Sequence, residues 1–473
     1  MNPVDLAFTP ALEQAALIRH GEISPLELTQ LYLERIERLN PILGSYFVVM
    51  ADQAIADARA KTELLAQRTI SSASEGLPPF FGVPISIKDL SPVLGAPCSY
   101  GVGILKNRPS TEDAGIVTKI REAGFVILGK TATSELGSTP YTEPRGFPPA
   151  RNPWNPDYTP GGSSGGAAAS VAAGLSPVAH GSDGGGSIRG PAACCGLVGI
   201  KPARGRVSHA PLGDKLSGLA IDGPFARTVS DAAALLDVLA GYVPGDPYWL
   251  PDPPQSFLSA TQQSVKTLRI AFTTNIPPVG KFHPVYEQTV LDTVALLEEL
   301  GHQVEPIELD FTELAEPLIK VWQAGVDMGV PWIFLGKLNR WLLRRSRSNS
   351  GGVYLRALMQ MQSFARRLVV TLDPIDVLVL PIFMHPVIRV GEWAPLRAAK
   401  QFEKIVNWVA PCPPFNATGQ PAIALPMGLD PNGLPIGIQF IGRPADETTL
   451  ISLAAQIEQA KPWIHRRPAL CAE

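Results

Sequence analysis

The sequence of 473 residues lacks features that define several classes of protein. It has five cysteines, an odd number without the spacing of a metal site, and this argues against a disulfide framework. Its first residues form neither a basic region nor an apolar core, so we expect no secretory signal peptide. No window reaches the roughly 18 uncharged apolar residues of a membrane-spanning helix. We therefore expect a cytoplasmic protein with reduced thiols.

The sequence also lacks a large net charge of either sign. The formal net charge is −3, which gives no electrostatic reason to bind nucleic acid, and we expect no nucleic-acid partner. Hydrophobic residues make up 45% of the chain, enough for a large core. We expect neither a metal nor a cofactor, because the sequence has no motif for either.

Two serines flanked by glycine follow a lone lysine in the first half of the chain. Lys88 ends the segment GVPISIK, Ser163 lies in GGSSGG and Ser187 lies in GGGSIRG. A hydroxyl nucleophile needs a proton acceptor and donors for the oxyanion of its tetrahedral intermediate. Lys88 can be the base if burial lowers its pKa, and the apolar residues before it predict a buried strand. Ser163 can relay the proton.

Each of these motifs also has an ordinary structural explanation. A lysine after an apolar strand is usually solvated, and glycine–serine runs are often flexible loops. The three occur together and in order, however, with further matches downstream. The additional segments are GKTATSELG, RNPWNP, FNATGQPAIALP and GLPIGIQFIG.

With these segments, the chain resembles the amidase signature family of serine hydrolases over roughly residues 5–240 and 405–460. The resemblance implies a Ser–cis-Ser–Lys triad in which Ser187 is the nucleophile, Ser163 the bridging serine and Lys88 the base. It also implies a cis peptide bond before Ser163.

The resemblance further implies a set of backbone donors for the oxyanion and a pair of side chains that hold their loop. Asp183 and Arg189 match the flanking pair, which is otherwise a common structural ion pair. The implied oxyanion hole consists of the amides of Gly184, Gly185, Gly186 and Ser187.

The fold can be predicted from local patterns and from the resemblance, and the two predictions differ in the directions of the strands. Strand-like and helical segments alternate, which argues for a largely parallel sheet flanked by helices. The resemblance implies instead a large mixed sheet in one α/β/α domain over residues 1–473. Within this domain we predict a signature core at about 80–210 and a variable region at about 245–400 that builds the substrate pocket.

Three other motif matches point to different chemistry. Residues 124–131 fit the phosphate-binding pattern GxxxxGK[ST], but their apolar centre favours a strand. Residues 161–165 fit the nucleophile elbow GxSxG, which would make Ser163 the nucleophile with acid and histidine partners such as Asp376 and His465. The adjacent Cys194 and Cys195 raise the possibility of a thiol nucleophile, although their small apolar neighbours favour inert burial.

The segment 332–347 bears on possible partners. Its leucines fall on one helical face and its basic residues elsewhere, which is typical of a helix packed on the core. The alternative is a helix on a membrane surface or over a lipophilic tunnel. We favour the core and expect no membrane association; a homodimer is the usual form if the protein is oligomeric.

Three classes of function remain open. The first is a stand-alone hydrolase of a small-molecule amide, similar to aryl- and alkyl-amidases and the cyclic nylon-oligomer hydrolase within the family. The second is the glutaminase subunit of a glutamyl-tRNA amidotransferase, which typically has a polar glutamine where this chain has Gly190. The third is a catalytically decayed binding protein, against which the three intact triad positions argue.

Overall fold

The computed structural model describes residues 2–67 and 76–471. Its strands, in chain order, are β1 (Tyr46–Val49), β2 (Pro84–Lys88), β3 (Val126–Thr131), β4 (Val178–Asp183), β5 (Val198–Lys201), β6 (Ile221–Ala226), β7 (Arg269–Phe272), β8 (Asn275–Ile276), β9 (Gly280–Lys281), β10 (Gln303–Pro306), β11 (Val377–Pro381), β12 (Ala422–Leu429) and β13 (Pro435–Gly442).

The helices, in chain order, are α1 (Pro3–Ala7), α2 (Ala11–Arg19), α3 (Pro25–Leu43), α4 (Ala51–Ala66), α5 (Gly115–Glu122), α6 (Gly165–Ala172), α7 (Arg189–Cys195), α8 (Val229–Leu239), α9 (Phe257–Ala260), α10 (Pro284–Glu299), α11 (Thr312–Ala324), α12 (Lys337–Ser348), α13 (Gly351–Leu372), α14 (Ala398–Val409), α15 (Pro414–Ala417) and α16 (Glu447–Ala460).

Eleven strands form one sheet in the order β1-β3-β2-β4-β6-β5-β12-β13-β11-β7-β10. The prediction of a largely parallel sheet is wrong, since each adjacent pair in the series β4-β6-β5-β12-β13-β11 is antiparallel. The single α/β domain with a large mixed sheet is confirmed. Alternation of strands and helices alone could not separate the two arrangements, because antiparallel neighbours can also be joined through helices.

The two faces of the sheet carry separate hydrophobic cores. On β11, Val377 and Val379 belong to one core, while Leu378 and Leu380 belong to the other. This is the period-two alternation of a strand buried on both faces.

Strand β2 alternates in the same way, but one of its faces is polar. Ile85 and Ile87 belong to the first core. Ser86 and Lys88 face the other side, where Ser86 Oγ lies 3.2 Å from Ser170 Oγ of α6. The polar residues of β2 thus lie on the face that α6 covers.

Local sequence patterns indicate several of the helices and strands, but they miss one strand that matters for the site. A capping box of Ser24 and Glu27, readable from the sequence, opens α3, which ends at Leu43 before Gly44. Strand β6 was not predicted, because its Gly223 and Pro224 are residues that normally argue against a central strand.

The segment 332–347 forms a short 3-10 turn followed by α12. Leu335, Leu338 and Leu342 are buried in the core, as the favoured interpretation expects. Within residues 2–67 and 76–471, every helix is too short or too polar to cross a membrane.

Candidate active site

Lys88 is the last residue of β2 and is fully buried. Its Nζ donates to Ser163 Oγ at 2.7 Å and to Ser182 Oγ at 2.9 Å, with the Ser182 carbonyl at 3.3 Å. Ser182 lies on the adjacent strand β4, so the sheet itself positions two of the acceptors. These contacts fix the orientation of the amine, and one of them is with Ser163, the predicted relay.

Burial lowers the pKa of Lys88 to about 7, although the carboxylates of Asp222 and Asp183 oppose that change. An exposed lysine is almost entirely protonated at neutral pH and is a poor base. A buried amine with this pKa is partly neutral there, so it can accept a proton from the hydroxyl that it contacts.

Ser163 precedes α6 and follows a cis peptide bond from Gly162. A Cβ atom on Gly162 would lie 2.5 Å from the backbone nitrogen of Tyr141, so only glycine fits at that position. The cis bond that the resemblance implied before Ser163 is thus present. Ser163 is 2% exposed and lies against Lys88.

Ser187 lies in the loop between β4 and α7 and is 8% exposed. Within the described residues its hydroxyl makes no hydrogen bond, so the implied contact with Ser163 is not formed in this structure. Both serines border the same cleft. In unliganded enzymes, catalytic hydrogen bonds often shorten only when substrate is bound.

Asp183 organises the loop that carries Ser187. Its carboxylate accepts from the amide of Gly186 at 2.6 Å and from that of Ile188 at 3.1 Å. The oxyanion hole stays a prediction, and one of its four expected donors, the Gly186 N–H, already donates to Asp183. In the described part of the chain, the amides of Gly184, Gly185 and Ser187 donate no hydrogen bond and remain available.

Arg189 and Asp183 form a fully buried ion pair, with both Nε and Nη2 of the arginine 3.0 Å from the carboxylate. Burial tends to raise the pKa of Asp183, but Arg189 holds that pKa well below its usual range. Asn416 and Gln439 accept from the same guanidinium at 2.6 and 2.8 Å. The pair is thus completely hydrogen-bonded, as a buried pair must be to be tolerated.

Asn416 and Gln439 support this loop but were not predicted from the sequence. Asn416 lies in FNATGQPAIALP, one of the segments that carry the family resemblance. The sequence therefore marked this segment, but not the role of Asn416 within it. Gln439 lies in β13, within the segment GLPIGIQFIG, and a single polar residue in an apolar strand could have drawn attention to it.

Two cavities meet at Ser187. The first, of about 200 Å³, is apolar; its lining includes Phe311, Leu314, Leu318, Phe402, Ile405 and Val406. The second, of about 640 Å³, is a more polar cleft; its lining includes Glu112, Asp113, His209, Asp214, Lys215 and Tyr354. Ser187 and Trp322 border both cavities, whereas Ser163 borders only the cleft. We call them the apolar cavity and the polar cleft.

The three competing motifs do not assemble into sites. Lys130, in the candidate phosphate loop, lies in β3 and pairs with the buried Asp89 at 2.8 Å. Asp376 binds Arg443 at 2.9 Å and His465 is exposed, so neither reaches Ser163. The five cysteines are free and buried, and burial raises the pKa of Cys194 and of Cys195 well above the usual value, which opposes a thiolate at neutral pH.

A family model for amidases matches residues 27–451 of this chain. The chain belongs to the amidase family. It is 50% identical over 456 residues to an amidase-family protein of Synechocystis sp., an alignment that covers 96% of this chain and 89% of the relative. It is also 34% identical over 508 residues to the 6-aminohexanoate-cyclic-dimer hydrolase of Paenarthrobacter ureafaciens, covering 99% and 98% of the two chains.

Solved structures of the family have the same fold. A 6-aminohexanoate cyclic dimer hydrolase complexed with substrate has a TM-score of 0.89 at 31% identity, with 98% of this chain and 99% of that chain covered. A glutamyl-tRNA(Gln) amidotransferase subunit from Thermotoga maritima has a TM-score of 0.75 at 29% identity, covering 93% and 92%. Family membership and these relatives identify the protein as an amide hydrolase.

Proposed function

We propose that this amidase hydrolyses carboxylic acid amides through an acyl-Ser187 intermediate, with Lys88 as the base and Ser163 as the relay. The observation that carries the proposal is the 2.7 Å hydrogen bond between the buried Lys88 Nζ and Ser163 Oγ. A hydroxyl bonded to an amine that is partly neutral can pass its proton to that amine and accept another.

The first half of the reaction acylates the enzyme. Ser163 gives its proton to Lys88 and takes the proton of Ser187, whose oxygen forms a bond to the amide carbon. The oxyanion is held by free amides of the loop 184–187, which are preorganised by Asp183. The carbon–nitrogen bond then breaks, and the proton returns from Lys88 through Ser163 to the departing amine.

The second half releases the acid. Water attacks the acyl carbon of the Ser187 ester, and its proton passes along the same relay to Lys88. The bond to Ser187 breaks, and the serine oxygen recovers its proton through Ser163. The relay of side chains moves every proton that these proposed steps require.

The positions of the cavities favour one orientation of the substrate. The departing nitrogen must receive its proton from Ser163, which borders the polar cleft and not the apolar cavity. The amine half of the amide therefore lies in the polar cleft and the acyl half in the apolar cavity. We propose amides of apolar carboxylic acids as the substrate class, because aromatic and aliphatic side chains dominate the acyl side.

The same cavity argues against the glutaminase alternative. Glutamine carries an ammonium and a carboxylate on its acyl side, and none of the residues that line this cavity has a charged side chain to pair with either. The intact contact between Lys88 and Ser163 argues against a decayed binding protein. A cytoplasmic location, independence from nucleic acid and a homodimer stay predictions.

The test is intact-mass spectrometry after exposure to a fluorophosphonate, followed by peptide mapping. We expect a single adduct on Ser187 that is lost in the Lys88→Ala variant. Ser187→Ala, which leaves the cavities unchanged, should give no adduct and no amide turnover. An adduct on Ser163 would favour the nucleophile elbow, and a folded wild-type enzyme without an adduct would contradict the proposed mechanism.

A further inference from the structure

A second group of charged side chains lies behind Lys88, and the reaction described above does not use it. Strands β4 and β6 pair so that Ser182, which binds Lys88, lies opposite Asp222. His180 is two residues before Ser182 and therefore projects from the same face of the sheet. Asp222 and His180 are buried, 1% and 0% exposed.

Three nitrogen donors surround the carboxylate of Asp222. His180 Nε2 lies 3.1 Å from Oδ1, while His209 Nδ1 and Lys215 Nζ lie 3.2 and 2.9 Å from Oδ2. Burial tends to raise the pKa of Asp222, but these donors hold that pKa well below its usual range. Asp222 is therefore a permanent negative charge beside the base.

The hydrogen-bond partners distinguish the two histidines. His209 lies between two oxygens, since its Nε2 is also 3.0 Å from the carbonyl of Ala220. His180 is different, because its Nδ1 is buried without a partner among the described residues. Burial lowers the pKa of His180, which is therefore neutral and donates only from Nε2.

The group thus sets the ammonium of Lys215 against the carboxylate of Asp222, which lies 2.9 Å away. Lys88 must lose a proton to work, and a neighbouring positive charge favours the neutral amine. Asp222 alone would have the opposite effect and hold the ammonium. The positive charge and the carboxylate of Asp222 therefore together affect how readily Lys88 loses its proton.

We propose that Asp222 and Lys215 are positioning residues whose opposed charges decide the pH at which Lys88 becomes a base, with His209 holding the carboxylate of Asp222 in place. They touch neither the reacting atoms nor the substrate carbonyl, and they act through the strand pair that holds Ser182. Lys215 is the adjustable member, because it is partly exposed, with 26% of its side chain accessible, and it lines the polar cleft. This inference rests on the proposed function of Lys88.

The other charges that face Lys88 leave this balance intact. From β4 it faces Asp183, whose charge is matched by Arg189 at 3.0 Å. On β3, on its other side, Lys130 is paired with Ile87 in the strand register, so it projects to the opposite face of the sheet, where it binds Asp89 at 2.8 Å. The charges that remain to act on Lys88 are those of the Asp222 group.

The test is the pH dependence of the rate at which a fluorophosphonate labels Ser187, which needs no knowledge of the substrate. Lys215→Met removes one positive charge and keeps the length of the side chain. The protonated form of Lys88 is then less disfavoured, so the midpoint of the profile should rise by about 0.5–1 pH unit. Lys215→Arg keeps the charge and should leave the midpoint within about 0.2 unit of the wild type.

Asp222→Asn should shift the same midpoint in the opposite direction, because the ammonium of Lys88 loses a carboxylate that stabilises it. A purely structural role would lower the plateau rate in both variants without moving either midpoint, and that result would overturn the inference. If Asp222→Asn does not fold, the two Lys215 variants decide the question alone. Failure of the wild type to be labelled at Ser187 would instead contradict the proposed function.

Discussion

The catalytic part of this amidase and the part that builds its apolar cavity differ in what they bury. Between residues 80 and 230 the core contains charged side chains that are at most 1% exposed: Lys88, Asp89, Lys130, Asp183, Arg189, Lys201 and Asp222. Residues 245–410, all of them described, bury no lysine, arginine, aspartate or glutamate. They expose large apolar side chains instead: Met328, Trp332, Ile333, Phe334, Leu355, Met359 and Val370.

This difference indicates which part of the enzyme can change. A buried charge is stable only when its partners are complete, so removing one member of such a network is costly. Apolar contacts depend mainly on volume and tolerate substitution better. We infer that the chemistry is fixed by the first region and that substrate choice can be altered in the second. Four substitutions test that contrast, in order of decreasing effect.

The largest effect should come from Lys88→Met. Burial lowers the pKa of both Lys88 and Lys201 to about 7, but of the two only Lys88 contacts the hydroxyl of Ser163. We expect amide kcat/KM to fall by about 10³-fold or more in this variant, with a smaller loss for labile esters, whose leaving groups need no returned proton.

Lys201→Met is the matched control for that measurement. Lys201 Nζ donates to the carbonyl of Pro202 at 2.9 Å and lies outside the relay. Its loss should change amide turnover by less than about tenfold. Equal losses in the two variants would mean that burial of a lysine, and not its contact with Ser163, is what the enzyme needs.

Asp183→Asn should produce the largest loss of stability. The substitution leaves the buried guanidinium of Arg189 uncompensated, so the free energy of unfolding should fall by about 3–5 kcal/mol in denaturant titrations. Asp376→Asn removes a carboxylate from a partly exposed pair with Arg443 and should cost about 0–1 kcal/mol. Similar losses at both positions would remove the proposed distinction between the two regions.

Trp322→Ala should change selectivity more than rate. The indole borders both cavities, and a Cβ atom on Gly185 would lie 3.1 Å from it. Its removal should widen the acyl side and shift the ratio of kcat/KM for bulky over small acyl amides by about 10–100-fold. Trp249→Ala removes an indole that is 60% exposed and outside both cavities, and should leave that ratio unchanged.

The smallest effect should come from Trp332→Ala. Its side chain is 51% exposed, so the free energy of unfolding should change by less than about 0.5 kcal/mol. Leu342→Ala, on the buried face of α12, should cost about 2–5 kcal/mol. If the two costs were reversed, the apolar stripe of segment 332–347 would not be part of the core.

Local sequence patterns were enough to place Lys88 at the end of a buried strand. The apolar run before it has the composition of a strand covered on both faces, and β2 has that burial. The resemblance supplied the roles of Ser163 and Ser187, which remain predictions, and it implied the mixed sheet that the structure has. The glycine and proline in β6 hid the strand that brings Asp222 beside the base.

The sequence by itself determined the residue types of the site and the short elements that carry them, because strands, caps and close glycine turns depend on neighbouring residues. Only the tertiary structure decided that Asn416 and Gln439 hold Arg189, and that Asp222 faces Ser182. These contacts join residues that are far apart in the chain or meet across a strand pair. They depend on strand order and loop geometry, which packing of the whole chain determines and no local pattern specifies.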